Sequence, residues 1–223
     1  MSKIEDKFAI PVIGMISSGK STFLNSLLGI DVLEAKDDVT TKFVCIIRHN
    51  STLKQPKFYH IKLEQKEDSE DYSFIKDGEE SEGKENILTV ISKINGNESK
   101  KAEPDYANLF YVLEINITNI SNENFLNKFD FYDIPGLNEY IKNDESAPPI
   151  METMNNTDEN KEKEIEKCDE DMKYIRGIFQ YIKTKIKFGI IVVDSSNCYK
   201  PQNTQILEEL YKVINNVEDI KKN

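Results

Sequence analysis

The chain has 223 residues, of which 38% are hydrophobic and 31% charged, with a formal net charge of −11. That length suits one sizeable domain, and so acidic a chain gains nothing from counterion release on DNA or RNA, which argues against a nucleic-acid partner. Cys45, Cys168 and Cys198 are widely spaced with no CxxC pair, which fits a reducing cytosol rather than a disulfide scaffold or structural zinc, and no apolar run reaches the roughly 18 residues of a membrane span.

In chain order, FAIPVI (8–13) is a short apolar run of the kind that forms a buried strand. A glycine-containing turn follows, and STFLNSLLGI (21–30) then sets Phe23, Leu24, Leu27 and Leu28 at helical spacing before Gly29, a natural helix C-cap. KFVCIIRH (42–49) reads as a second strand, and KFYHIKL (57–63) alternates well enough to pair with it antiparallel. The acidic segment 64–85 reads as a solvated, disordered insertion, and ENILTVISKI (85–94) as a short helix.

Next, NLFYVLEINITNI (108–120) and FLNKFDFYDI (125–134) read as two strands of a hairpin turned by SNEN. A second acidic insertion, 143–171, comes after them. DMKYIRGIFQYIKTKI (171–186) and TQILEELYKVINNV (204–217) have the period of amphipathic helices. Between them KFGIIVVD (187–194) is the most apolar strand and is expected near the centre of a parallel sheet. Alternation of strands and helices predicts an α/β domain over 1–223, with a mostly parallel central sheet, an antiparallel patch and helices on both faces.

The turn after the first strand reads GMISSGKST (14–22) and fits G-x-x-x-x-G-K-[ST] from Gly14 to Ser21. Each residue type has a reason. Gly14 and Gly19 let the backbone curl into a nest of inward N–H groups, and the helix beginning near Lys20 adds the positive end of its dipole. Lys20 reaches the β- and γ-phosphates of a nucleotide, and the Ser21 hydroxyl is a natural Mg²⁺ ligand. A strand before and an apolar-periodic helix after are the context this motif requires.

Phosphoryl transfer needs a further acid near the metal and a group that positions water. In FDFYDIPGLNEY, Asp133 ends an apolar strand, where it can hold the metal through water, and Gly136 offers a backbone N–H to a γ-phosphate. Thr40 and Thr41 in DDVTTKF stand about 20 residues beyond Ser21, in a polar loop before a strand, where a threonine can cap Mg²⁺ and orient water.

Taken together, GMISSGKSTFLNSLLGIDVLEAKDDVTTKFVCIIR and DIPGLNEY resemble the GTPase domain of the dynamin superfamily. The resemblance runs from about residue 8 to 217 and implies a P-loop NTPase fold. Carried over, it implies that Ser17, Ser18, Gly19, Lys20, Ser21 and Thr22 contact phosphate and Mg²⁺, with Gly14 opening the loop. It assigns Thr41 to switch one and Asp133 and Gly136 to switch two, with Lys20, Thr41 and Ser18 as the catalytic set and Ser21, Thr41 and Asp133 around the metal. It further implies GTP and Mg²⁺ as cofactors, GTP hydrolysis to GDP, self-association across the nucleotide face, and a cytoplasmic place peripheral to a remodelled membrane with membrane-associated partners.

Two departures bear on this. Many eukaryotic relatives carry a glutamine where this chain has Ile16, whose side chain cannot hydrogen-bond water, so either turnover is slow or another group substitutes. The guanine-reading [TN]-K-x-D motif expected after 204–217 is not present, so the sequence reads as a domain incomplete at its C-terminus. Rival readings are a non-hydrolysing nucleotide-binding or regulatory module and an ATP-specific relative. His49, His60 and Cys45 read as ordinary strand or core residues, and the loop from Asp194 as a solvated one.

Overall fold

The computed structural model describes residues 3–15, 17–33, 43–67, 69, 71–96, 106–136 and 176–193. Strand β1 (Phe8–Gly14) leads through the glycine turn into α1 (Lys20–Leu28), and β2 (Val44–His49), β3 (Lys57–Gln65), β4 (Tyr72–Glu82) and α2 (Lys84–Gly96) follow. The third stretch brings β5 (Phe110–Ile115), α3 (Glu123–Lys128) and β6 (Phe129–Asp133), and a helical stretch over 176–182 precedes β7 (Ile190–Val192).

These strands form one mixed sheet in the order β4-β3-β5-β2-β6-β1-β7. β6, β1 and β7 run parallel, as do β2 and β5, whereas β2 meets β6 and β3 meets both β4 and β5 antiparallel. The α/β class and the parallel strip around the phosphate loop are as expected, and the antiparallel patch is wider than expected. Alternate residues of β1 serve two cores: Ala9 and Ile13 join Phe179 and Ile182 on one face, Ile10 and Val12 join Leu24 and Leu28 of α1 on the other. That two-sided burial is why the strand reads as an unbroken apolar run.

Four expectations are corrected. β3 does not pair with β2; it pairs with β5 and β4, because Phe58 stacks on Tyr111 of β5 with ring centroids 5.3 Å apart. The acidic stretch 64–85 is no disordered insertion where it is described: β4 continues the sheet, and Lys57 and Lys76 both pair with Glu80. No β5–β6 hairpin exists either, since β2 lies between the two strands. Asn122 instead starts α3, its side chain accepting the Phe125 N–H at 3.1 Å, so the SNEN turn is a helix cap. β7 ends the described sheet beside β1, with Ile191 and Val193 exposed, rather than lying at its centre. The second acidic segment, 143–171, and the helix expected at 204–217 lie outside the described residues, and no helix among those described is long and apolar enough to cross a membrane.

A buried ion pair links β2 to β6. Arg48 of β2 reaches Asp130 of β6 through Nε at 3.1 Å and Nη2 at 2.5 Å, and Nη2 also donates to the Glu5 carbonyl at 2.8 Å. Burial opposes the charge on Arg48, but the hydrogen bonds and charge of Asp130 outweigh it and hold the guanidinium above its ordinary pKa. His49 is likewise satisfied: its Nδ1 accepts the Ile117 N–H at 3.1 Å, as befits a structural histidine. Because removing one partner strands a buried charge, Arg48→Leu is expected to destabilise the chain by about 3–5 kcal/mol. Urea unfolding checks this: Arg48→Leu with Asp130→Leu should recover most of the loss, and equal stability of the single variant and the parent would refute it.

Candidate functional site

The site begins where β1 stops. Gly14 ends the strand so close to β7 that a Cβ there would lie 2.3 Å from the Val192 carbonyl oxygen and 2.7 Å from Ser18 Oγ. Only a residue without a side chain fits. The loop then turns through Ser17 at φ 57° and Gly19 at φ 86°, left-handed conformations that favour glycine and that curl the backbone toward a concavity. Gly19 caps α1 without a side-chain hydrogen bond, and the first turn of α1 holds no acidic residue. No side chain of that first turn therefore offsets the positive dipole end of the helix, and the carboxylate nearest to it comes from another strand, Asp133 at Ser21.

Lys20, the first residue of α1, folds back into the loop. It is only 8% exposed, and its Nζ donates to the carbonyls of Met15 at 3.0 Å and Gly14 at 3.3 Å. An ammonium held by two neutral carbonyls is a cation that a phosphate oxygen can recruit. Ser18 Oγ is buried with no partner among the described residues, whereas Ser17 and Thr22 are exposed.

Ser21, one residue on, ties the loop to β6. Its hydroxyl donates to Asp133 Oδ2 at 3.2 Å, because β6 lies parallel to β1 with Asp133 opposite Val12. Asp133 is 1% exposed, and its Oδ1 finds no partner among the described residues. Burial raises its pKa to about 6, against the pull of the Lys20 charge and the Ser21 hydrogen bond. A serine hydroxyl, a buried carboxylate with a free oxygen and a nearby ammonium fit a hydrated Mg²⁺ beside phosphate, since Mg²⁺ takes few protein ligands and keeps several waters. Gly136 is buried two residues beyond the end of the Ile134 crossover, where the Ile134 N–H bonds the Val12 carbonyl at 3.3 Å.

The structure thus brings together Gly14, Ser18, Gly19, Lys20, Ser21 and Asp133, and sets Gly136 on the same strand exit. Ile16, Thr40 and Thr41 lie outside the described residues. Sequence reasoning did not anticipate the carbonyl seat of Lys20 or the pressure of Val192 on Gly14, because both are made by backbone atoms that carry no residue signature. A separate cleft of about 330 Å³ lies at the other end of β1, lined by Asp6, Lys7, Lys66, Lys128 and Lys185 among others. Its charges are largely matched internally, with Asp6 bridging Lys66 at 3.0 Å and Lys185 at 2.5 Å, and it has no part in the phosphate loop.

A family model described as the dynamin family matches residues 10–217. Among curated proteins no match is found. Two solved structures, both described as an oligomerised bacterial dynamin pair that provides a mechanism for long-range sensing and tethering of membranes, are 17% and 16% identical to the chain, each with a TM-score of 0.34. In each case 92% of this chain is covered and 34% of the other, so the chain spans about a third of their length.

Folding raises the Asp133 pKa from 3.8 to about 6, so this carboxyl's contribution to stability is complete below about pH 3.8 and is lost as pH rises through about 6. In the absence of divalent metal, Asp133→Asn is expected to be more stable than the parent at pH 7.5, by roughly 3 kcal/mol at about 1.4 kcal/mol per pKa unit. That advantage should shrink by pH 5. Urea unfolding at the two pH values decides, and an advantage that is absent or independent of pH would show that Asp133 carries no such penalty.

Proposed function

The chain belongs to the dynamin family, and from that premise we propose that it binds GTP with Mg²⁺ and hydrolyses the β–γ phosphoanhydride. The observation that carries the proposal is the Ser21–Asp133 hydrogen bond beside the buried Lys20, which joins the phosphate loop to the tip of β6. Asp133, one of the groups around it, is incompletely satisfied among the described residues. Lys20 donates to the Gly14 and Met15 carbonyls, and Asp133 keeps a buried oxygen with no described partner.

On this reading the loop N–H groups and the α1 dipole hold the phosphates, and Lys20 turns from the Gly14 and Met15 carbonyls to the β- and γ-phosphate oxygens. Ser21 and Thr41 would hold Mg²⁺ directly and Asp133 would hold its bound water. The ion supplies charge neutralisation for the leaving oxygens when bound. Ser18 turns its buried hydroxyl to the phosphates, Gly136 gives its N–H to the γ-phosphate, and Thr41 orients the attacking water. Ser17, Gly19 and Thr22 complete the contacts of the loop. With Ile16 in place of a polar group, the proposed turnover is slow.

The wider setting rests on family membership alone. It comprises self-association across the nucleotide face, membrane-associated partners and a cytoplasmic place at the surface of a membrane being remodelled. The proposed extent of the domain is 1–223, with an acidic insertion at 143–171 after switch two.

Titration with fluorescent GTP and ATP analogues in the presence of Mg²⁺, alongside phosphate-release measurements, tests the proposal. GTP is expected to bind in preference to ATP, with Lys20→Ala weakening it by at least about tenfold, a change of about 1.4 kcal/mol. Preference for ATP would make the chain an ATP-specific relative, and tight binding without phosphate release would make it a regulatory module. Binding of neither nucleotide would overturn the reading.

A further inference from the structure

The cleft of about 330 Å³ at the end of β1 away from the phosphate loop is large enough for a small ligand, and its charges do not fully cancel. Four lysines line it, Lys7, Lys66, Lys128 and Lys185, in a chain whose net charge is −11. One carboxylate is shared between two of them: Asp6 Oδ2 meets Lys66 at 3.0 Å and Oδ1 meets Lys185 at 2.5 Å. Lys7 places its Nζ on the Leu126 carbonyl at 3.2 Å, and the Lys128 ammonium has no ion pair or hydrogen bond among the described residues. Glu5 and Asp71 also line the cleft but bond to none of the four.

The fold fixes these positions. Lys7 precedes β1, Lys66 follows β3, Lys128 ends α3, and the buried Lys185 sits with its Nζ 3.8 Å from the Phe74 ring centroid. Phe8 supplies an apolar wall: it lines the cleft, is 40% exposed, and rests on Phe129 with ring centroids 5.6 Å apart. Asp6 shows what kind of group the cleft accepts, an oxyanion held between ammoniums. A single carboxylate still leaves Lys7 and Lys128 unmet. A phosphate monoester carries nearly two negative charges and three acceptor oxygens, and lysine, a point charge with three rotatable donors, suits it.

We propose that this cleft binds a phosphate monoester whose apolar or planar body rests on Phe8, with Lys7 and Lys128 as its counter-charges and Asp6 competing with it for Lys66 and Lys185. Phe8 and Gly14 are the two ends of β1, so the site is separate from the phosphate loop and does not depend on the hydrolase reading.

A residue-resolved chemical-shift titration of the whole chain with phenyl phosphate tests it, with inorganic phosphate and benzoate as comparisons. Saturable shifts are expected at the amides of Phe8, Asn127 and Lys128, resolved from any at 14–22, and phenyl phosphate should bind at least about threefold more tightly than either comparison. Lys7→Gln with Lys128→Gln should weaken it by at least about fivefold, and Asp6→Asn should tighten it by about threefold or more by releasing two ammoniums. Lys128→Gln alone changes only an exposed side chain, so it decides the matter should the double variant misfold, and it should weaken binding at least about twofold. Shifts confined to 14–22, no saturable shift, benzoate binding as tightly as phenyl phosphate, or undiminished affinity in the lysine variants would each overturn the site. Sedimentation with phosphatidylcholine vesicles containing phosphatidic acid separates the two sources of such a phosphate. A chain that binds phenyl phosphate but stays in the supernatant takes a soluble ester, and pelleting that the double lysine variant abolishes identifies a lipid headgroup; the cleft stands in either case.

Discussion

Everything at the candidate site depends on the parallel pairing of β1 with β6. In that register Val12 faces Asp133, and the next residues of β1 lead straight into the glycine loop and α1. Two segments more than a hundred residues apart in sequence are thereby held at hydrogen-bonding distance, Ser21 Oγ to Asp133 Oδ2 at 3.2 Å. The pairing is rigid because both strands are buried: Ile10, Val12 and Phe131 pack into one core, Ala9, Ile13 and Tyr132 into the other. Removing a register rung would shift Asp133 by one residue to the opposite face of the sheet, since strand side chains alternate. The site's geometry is therefore set by apolar packing several residues away from any charged group.

What was legible in the sequence follows from what is local. The loop from Gly14 to Ser21 could be read because its chemistry is a property of consecutive backbone atoms, and glycine is placed where φ must be positive or where Val192 presses on the chain. The helices at α1 and α2 could be read from their apolar period. Strand neighbours could not. β2 looks as if it should pair with β3, the next strand along, yet it is β5 and β6 that flank it. The alternation in KFYHIKL shows only that one face is buried, not against which strand. SNEN misled for a different reason: asparagine serves turns and helix caps equally well, and a six-residue helix leaves too short a period to separate the two.

The acidic stretch before α2 is a further case of composition outweighed by pairing. Tyr72, Ser73 and Phe74 open β4 with buried or half-buried side chains, and its charged remainder is held in the ladder by Lys57 and Lys76 around Glu80. Such exposed pairs are individually weak. What holds the strand is the long antiparallel ladder to β3 and the packing of Phe74 beside Phe110, with their ring centroids 6.1 Å apart. The charged end of β4 also suits its position at the edge of the described sheet, where acidic side chains discourage pairing with another chain.

Burial of charge separates two kinds of polar centre along β6. At Asp130 the carboxylate is fully met by Arg48, with contacts to both oxygens, so that nothing further is needed from outside the chain. Asp133, three residues on, is buried as deeply but receives only the Ser21 hydroxyl, and its second oxygen has no described partner. A fold selected for stability alone would treat the two aspartates alike, because an unpaired buried carboxylate costs free energy that a paired one does not. The difference is explained if Asp130 closes the structure while Asp133 waits for a cation and its water. Lys20 is buried nearby, its ammonium donating to the Gly14 and Met15 carbonyls and its charge acting on Asp133. A buried acid with an unmet oxygen, tied through Ser21 to the loop that carries a buried ammonium, fits the proposed site for a metal-bound phosphate.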